Sequence, residues 1–264
     1  MSDHEAGAIV VTGAASGIGR ATCELLVASG ATVIGLDRNA AELPGVKAAI
    51  CDLADADAID RVVELMREPL GGLVNCAGLP GTHPPDRVLA VNLLAPRRLA
   101  DGLAERIVAG GAVVNVASVA AWRSDRSERD VSEVLGASDA AALEWLAAAD
   151  LDGPATYDFS KKALQALTLW QGARWLPRRV RCVSVSPGPT LTPILSDFEQ
   201  SMGADRIRAS ADAVGGHAKP EDVATIIAFL VSPAARWING IDVRVDGGLL
   251  GARMAPAVAA ADQA

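Results

Sequence analysis

Apolar residues fall along this chain in two alternating rhythms. Short runs without polar interruption, such as Ala8-Ile9-Val10-Val11-Thr12, read as strands buried on both faces. Between them lie longer stretches with apolar residues three and four apart, the spacing of amphipathic helices. The pattern predicts strands at Ala8–Thr12, Ala31–Leu36, Val46–Cys51, Gly72–Cys76, Ala112–Ala117, Val180–Ser186 and Ile241–Val245. It predicts helices at Ile18–Ser29, closed by Gly30, and at Asp55–Arg67, Asp86–Val108, Thr156–Trp175 and Pro220–Leu230. Strand and helix alternating in this way imply an α/β fold, a doubly wound parallel sheet of about seven strands with helices on both faces.

Two stretches break the rhythm. Arg123 to Ala155 begins with a mixed-charge run, Arg123 to Asp130, and continues into a helix-like Asp139 to Ala149. A charge run is usually a solvated face, but an excursion between a strand and the next helix of a sheet can also line or cover a site. The stretch from Ala255 to Ala264 is rich in alanine and reads as a flexible tail. The expected organisation is one catalytic domain over residues 1–254, with an insertion at about 123–155 and a tail at 255–264.

Bulk properties remove some function classes. The 264 residues suffice for one large domain and are short for two. A formal charge of −8 makes the chain a poor nucleic-acid binder. No apolar run reaches the roughly 18 residues of a membrane span. The start Met1-Ser2-Asp3-His4-Glu5 lacks the basic opening of a signal peptide, so a cytoplasmic location is expected. Cys23, Cys51, Cys76 and Cys182 form no C-x-x-C pair and read as buried thiols, and His4, His83 and His217 lie far apart. No metal site is expected.

Candidate chemistry gathers at the ends of the strands. Thr12-Gly13-Ala14-Ala15-Ser16-Gly17-Ile18-Gly19 joins the first strand to the first helix. Small residues there let the backbone approach a pyrophosphate, and the helix start offers unpaired N–H groups and a positive dipole end. The spacing is G-x-x-x-G-x-G rather than G-x-G-x-x-G, and a glycine turn alone is weak evidence. Asp37 follows the second strand, 18 residues after Gly19. An acidic residue there suits the ribose hydroxyls of NAD and repels the extra phosphate of NADP, while the neighbouring Arg38 pulls the other way. Asp52-Leu53 follows the third strand and can reach an adenine edge. Asn75-Cys76-Ala77-Gly78 follows the fourth, with small residues suited to a close cofactor.

The single tyrosine, Tyr157, stands four residues before Lys161. On a helix the two share a face, and an ammonium beside a phenol lowers the phenol's pKa toward usable acid/base chemistry. Taken alone, the pair could also be an ordinary surface pair. Ser118 ends the fifth strand, where ligands bind in open α/β sheets. Asn92 lies within an apolar helical stretch, where backbone could satisfy it or it could anchor a water chain to Lys161.

With these residues assembled, the chain resembles the short-chain dehydrogenase/reductase family in its compact, single-domain Rossmann form. The motifs Thr12 to Gly19, Asn75 to Gly78, Asn92, Ser118, Tyr157 to Lys161 and Pro187-Gly188 follow the family's order across almost the whole length. The resemblance implies a catalytic tetrad of Asn92, Ser118, Tyr157 and Lys161. It also implies that Pro187 to Thr192 wraps the nicotinamide, with Thr190 and Thr192 near its carboxamide. It implies an NAD(H)-dependent oxidoreductase interconverting an alcohol and its carbonyl compound. Ser118 and Tyr157 are 39 positions apart, where most members have about a dozen residues between them. That insertion resembles the bacterial 3α-hydroxysteroid dehydrogenase/carbonyl reductase subgroup and coniferyl-alcohol-type dehydrogenases, which implies a hydrophobic substrate. Rival readings are an enoyl reductase, whose lysine would stand further from its tyrosine, a non-catalytic nucleotide sensor or scaffold, and a longer epimerase or dehydratase. The expected assembly is a homodimer. In that reading Ala140, Leu143, Leu146 and Ala147 of the insertion pack on the two long helices, leaving the last strand's edge for the partner.

Overall fold

Val10 and Val11 of strand β1 (Ala8–Thr12) are both fully buried, as expected of a strand covered on its two faces. The computed structural model describes residues 7–40 and 42–261. The acidic start Met1–Glu5 and positions 262–264 of the expected tail lie outside the described residues. Helix α1 (Gly17–Ala28) follows, then β2 (Val33–Asp37), β3 (Val46–Ile50), α2 (Ala56–Leu65) and β4 (Leu70–Asn75). The strands β5 (Ile107–Val116), β6 (Arg181–Pro187) and β7 (Asp242–Val245) complete a seven-stranded sheet in the order β3-β2-β1-β4-β5-β6-β7. Every pairing is parallel. The order reverses between β1 and β4, and the crevice beyond the carboxyl ends of those strands is where such sheets bind ligands.

Two cores hold the layers together. On one face Val11, Val74, Val114 and Val183 pack against Cys23 and Leu26 of α1 and Ile227 and Leu230 of helix α10 (Pro220–Val231). On the other, Leu36, Leu73 and Val113 meet Ile59 of α2 and Leu99 and Leu103 of helix α4 (Ala95–Leu103).

The long helix expected at Asp86–Val108 is instead four pieces: α3 (Pro85–Leu89), a π turn at Ala90–Leu94, α4, and a 3-10 turn at Ala104–Arg106. Pro96 explains the wide turn. It has no N–H to return to the Asn92 carbonyl, and Ala95 N–H donates five residues back to Ala90 O. Strand β5 starts at Ile107, well before the expected Ala112: the β-branched Ile107 pairs with Leu70, and regular pairing resumes at Ala112 after a shift in register. At the far end, helix α11 (Leu249–Ala261) runs across the expected boundary at 254.

The insertion folds as two helices, α5 (Glu128–Gly136) and α6 (Asp139–Ala149), which lead into α7 (Gly153–Arg174). The second half of the charge run is thus a helix start rather than an irregular face: Ser127 and Asp130 form a capping box at α5. Val131, Val134, Ala142 and Leu146 pack onto Leu89, Leu93, Phe159, Leu164 and Leu167. Ala140 and Ala147, expected in that stripe, are exposed. Arg97 donates to Val134 O and Leu135 O, and both Arg97 and Arg98 reach Asp139. Helices α8 (Leu195–Met202) and α9 (Ala204–Asp212) fill the segment between β6 and α10, where the sequence pattern shows no element.

With α5 and α6 packed against α7, three exposed apolar side chains lie near β7: Trp237 is 95% exposed, Leu169 62% and Ile241 48%. A two-fold dimer through this edge is the predicted assembly. Light scattering should give twice the chain mass, and Trp237→Asp should give monomers; a stable tetramer, or a dimer indifferent to Trp237→Asp, contradicts this.

Candidate active site

The turn after β1 is shaped by two glycines. Gly13 has φ +70°, and a Cβ there would lie 3.0 Å from the Ala77 backbone. A Cβ on Gly19 would lie 2.2 Å from Gly13 O, so the helix can start this close to the strand only without a side chain. Ser16 precedes α1 in extended backbone and its side chain makes no capping bond. Ser16, Gly17, Ile18 and Gly19 all line a cleft of about 560 Å³. The first N–H groups of the helix therefore face that cleft uncapped, which suits an anionic group.

Asp37 stands where β2 ends. Its Oδ2 accepts from Ala15 N–H at 3.1 Å and its Oδ1 from Asn39 N–H at 3.0 Å, so the carboxylate is fixed against the glycine turn. It is half-buried rather than enclosed, and Arg38 beside it is exposed. Both line the cleft, as do Asp52, Leu53, Ala77 and Gly78. Asp52 Oδ1 accepts from Ala54 N–H at 2.9 Å, and its other oxygen faces Arg87 at 3.4 Å. On the opposite wall stand Pro187, Gly188, Thr190 and Thr192. Thr190 Oγ1 donates to Gly188 O at 2.9 Å, and Thr192 lies over Gly17.

The Asn75 side chain is buried, and its Nδ2 donates to Asn115 Oδ1 at 2.8 Å; its backbone leads into Cys76, Ala77 and Gly78 of the cleft wall. The turn it precedes is held instead by Thr12, whose hydroxyl accepts from both Cys76 N–H and Ala77 N–H at 2.9 and 3.0 Å.

At the other end of the cleft are Ser118, Tyr157 and Lys161. Ser118 leaves β5 in extended backbone, and its Oγ accepts from Ala120 N–H to start the 3-10 turn Val119–Arg123. Tyr157 comes from the second turn of α7, lines the cleft with Ser118 and meets Phe198 of α8 edge-on at 5.1 Å. Lys161 lies one turn on, 5.8 Å from the tyrosine ring, and donates to Val116 O at 2.8 Å. Leu79, Val88, Ala120, Phe198 and Met202 pack around Tyr157 and make this end apolar.

Asn92 sits fully buried in the π turn. Its Oδ1 accepts from Leu79 N–H at 2.8 Å, and its Nδ2 donates to Leu79 O and Ser160 Oγ. The backbone pairing, one of the two uses open to it, is formed. Gly78 separates it from Lys161: a Cβ there would lie 3.4 Å from Asn92 Oδ1 and 3.5 Å from Lys161 Nζ.

Burial sets the electrostatics. It pushes the Tyr157 phenol up to about 12, with the Ser118 hydroxyl pulling back, and lowers Lys161 from the ordinary 10.5 to about 8. The lysine's expected acidifying effect on the phenol is not the leading influence; desolvation of both groups is. Phe198, Thr12 and Leu79 escaped sequence reasoning. Thr12 carried a signal, as a polar residue closing an apolar strand; Phe198, from a helix with no visible pattern, carried none.

Comparison with known proteins adds an independent line. Residues 7–142 match the family model described as short chain dehydrogenase, and residues 146–250 match one described as enoyl-(acyl carrier protein) reductase. Coniferyl-alcohol dehydrogenase of Pseudomonas sp. (strain HR199 / DSM 7063) is 39% identical, covering 91% of this chain and 95% of that one. The 3-alpha-hydroxysteroid dehydrogenase/carbonyl reductase of Comamonas testosteroni is 32% identical over 91% and 95%. Among solved structures, the 3-alpha-hydroxysteroid dehydrogenase from Pseudomonas sp. B-0831 complexed with NADH superposes with a TM-score of 0.81, at 34% identity, over 92% of this chain and 96% of that one.

Two substitutions separate structural from chemical roles. The folded chain lowers the Lys161 value to about 8 from 10.5, so the unfolded chain holds more protons between those values. Lys161 therefore weakens the fold at neutral pH, and that cost fades as pH rises through this window. Lys161→Met should have a Tm at pH 7 no lower than the wild type. Asn92→Leu strands the Leu79 N–H and carbonyl and should cost about 2 kcal/mol or more, a Tm drop of about 4 °C or more. Thermal melts showing the reverse order would contradict both assignments.

Proposed function

Because the chain belongs to the short-chain dehydrogenase/reductase family, we propose that it is an NAD(H)-dependent oxidoreductase interconverting a hydrophobic secondary, allylic or aryl alcohol and its carbonyl compound. The observation that carries this reading is the single cleft that has the glycine turn and Asp37 at one end and Ser118, Tyr157 and Lys161 at the other. The uncapped start of α1 and the glycine cradle fit a dinucleotide pyrophosphate. Asp37, held by Ala15 N–H, fits ribose hydroxyls.

NAD, when bound, supplies the hydride chemistry. The chain's own groups do the rest. Ser118 Oγ and the Tyr157 hydroxyl hold the substrate oxygen. Tyr157 takes the hydroxyl proton in oxidation and returns it in reduction. Lys161 keeps one N–H on Val116 O; its other N–H groups would hold the ribose of a bound NAD, and its charge, 5.8 Å from the phenol ring, favours phenolate. Asn92 fixes the Leu79 backbone and, beside Gly78, supports proton relay through water to Lys161. Leu79, Phe198 and Met202 exclude water and receive an apolar substrate. The relatives named for coniferyl alcohol and for hydroxysteroids support a substrate of that kind. An enoyl reductase, the description matched by residues 146–250, is disfavoured by the four-residue spacing of Tyr157 and Lys161 and by Ser118 standing with them in the cleft.

A screen of aryl-allylic alcohols and hydroxysteroids with NAD⁺, followed by reduced-nicotinamide absorbance, tests the proposal. Turnover with at least one class is expected, with kcat/KM higher for NAD⁺ than for NADP⁺ and the preference narrowed in Asp37→Ala. A preference for NADP⁺ would refute the role of Asp37. Tight NADH binding without turnover on any alcohol would favour a nucleotide-binding sensor instead.

A further inference from the structure

Ser118 and Tyr157 stand 39 positions apart, with α5 and α6 between them, yet they line the same end of the cleft. A much shorter path joins them. The turn Val119–Arg123 begins at Ser118 itself. Arg123, at its far end, grips Asp158, the residue after Tyr157: Nε donates to Oδ2 at 2.8 Å and Nη2 donates to Oδ1. The two side chains are only 22% and 14% exposed. This two-pronged pairing fixes direction as well as distance. It closes a ring from Ser118 through the turn to Arg123, across to Asp158 and back to Tyr157, leaving the insertion outside.

We propose that the Arg123–Asp158 pair is a positioning clamp for the Tyr157 hydroxyl, holding it against Ser118 across the insertion and balancing the charge beside it. The balance has two opposed parts. The Asp158 carboxylate disfavours loss of the phenol proton and the Arg123 guanidinium favours it. The other charged or titratable groups around the ring are Lys161, 5.8 Å from it, His83 and Asp197, which line the same cleft, and Arg253 of α11, close enough to sense Arg123. Phe198 packs on the ring without charge. Neither Arg123 nor Asp158 lines the cleft, so the pair acts through the tyrosine and its turn, not on the substrate.

This inference rests on Tyr157 being the proton-transfer group, and the test keeps the two apart. The readout is the pH at which alcohol oxidation reaches half its plateau in kcat. Arg123→Gln leaves the Asp158 carboxylate uncompensated and should move that midpoint up. Asp158→Asn leaves the guanidinium uncompensated and should move it down, each by about half a pH unit or more. The double variant should return toward the wild type. Arg123→Lys keeps the charge but loses the fork, so the midpoint should hold while kcat falls about tenfold and the KM for NAD⁺ stays. Asn preserves the shape of Asp158 and Gln shortens Arg123, so melting curves are used to show that each variant is folded. In folded variants, shifts of the same sign, or no shift, overturn the clamp while leaving the proposed function standing. A wild type whose alcohol oxidation shows no such midpoint overturns the role of Tyr157 and the clamp together.

Discussion

The short stretch of backbone after β4 is pinned from two sides, and the site is arranged around it. From below, the Thr12 hydroxyl accepts the Cys76 and Ala77 N–H groups. From behind, the Asn92 amide pairs with both the N–H and the carbonyl of Leu79. A strand end left to itself would expose these groups to the cleft or strand them in the interior, and either is costly. With them satisfied, Gly13 can come into contact with Ala77, and Gly78 can lie between Asn92 and Lys161. The glycine turn, the floor of the cleft and the lysine thus share one rigid reference.

Around that reference the fold tolerates an unfavourable arrangement. Lys161 is buried with one carbonyl for a partner, and Tyr157 is buried beside it. Desolvation drives their proton affinities apart, the lysine down and the phenol up. Such opposed shifts are typical of groups arranged for proton transfer rather than for stability. The stability comes from elsewhere: the two apolar cores on either face of the sheet and the satellite core beneath the insertion, where Arg97 and Arg98 fasten α6 to α4 through Asp139.

What could be read from the sequence follows from this division. Strand ends were legible because a parallel sheet sends all its carboxyl ends to one edge, so Gly13 to Gly19, Asp37, Ser118 and Pro187 to Thr192 meet there. The buried partner of the Asn75 side chain was not legible, because only the register with β5 sets it opposite Asn115. The broken helix was hidden because the apolar spacing runs on through the π turn, and only Pro96 marks the change. In α6, alanine and leucine occur all round the helix, so nothing in the pattern fixes its phase, and Ala142 rather than Ala140 faces inward. Phe198 reaches the tyrosine from a helix packed by tertiary contacts alone.

The claim on which the account turns is that the buried hydroxyl of Tyr157, and no other group in the cleft, moves the proton. Removing that one oxygen in Tyr157→Phe leaves the ring, its contact with Phe198 and the nucleotide end in place. Steady-state turnover of an alcohol with NAD⁺, measured beside NADH binding by calorimetry, is the most direct test. The account predicts a fall in kcat of about 10²–10⁴-fold with NADH affinity retained; a variant that keeps more than about a tenth of the wild-type kcat would contradict it.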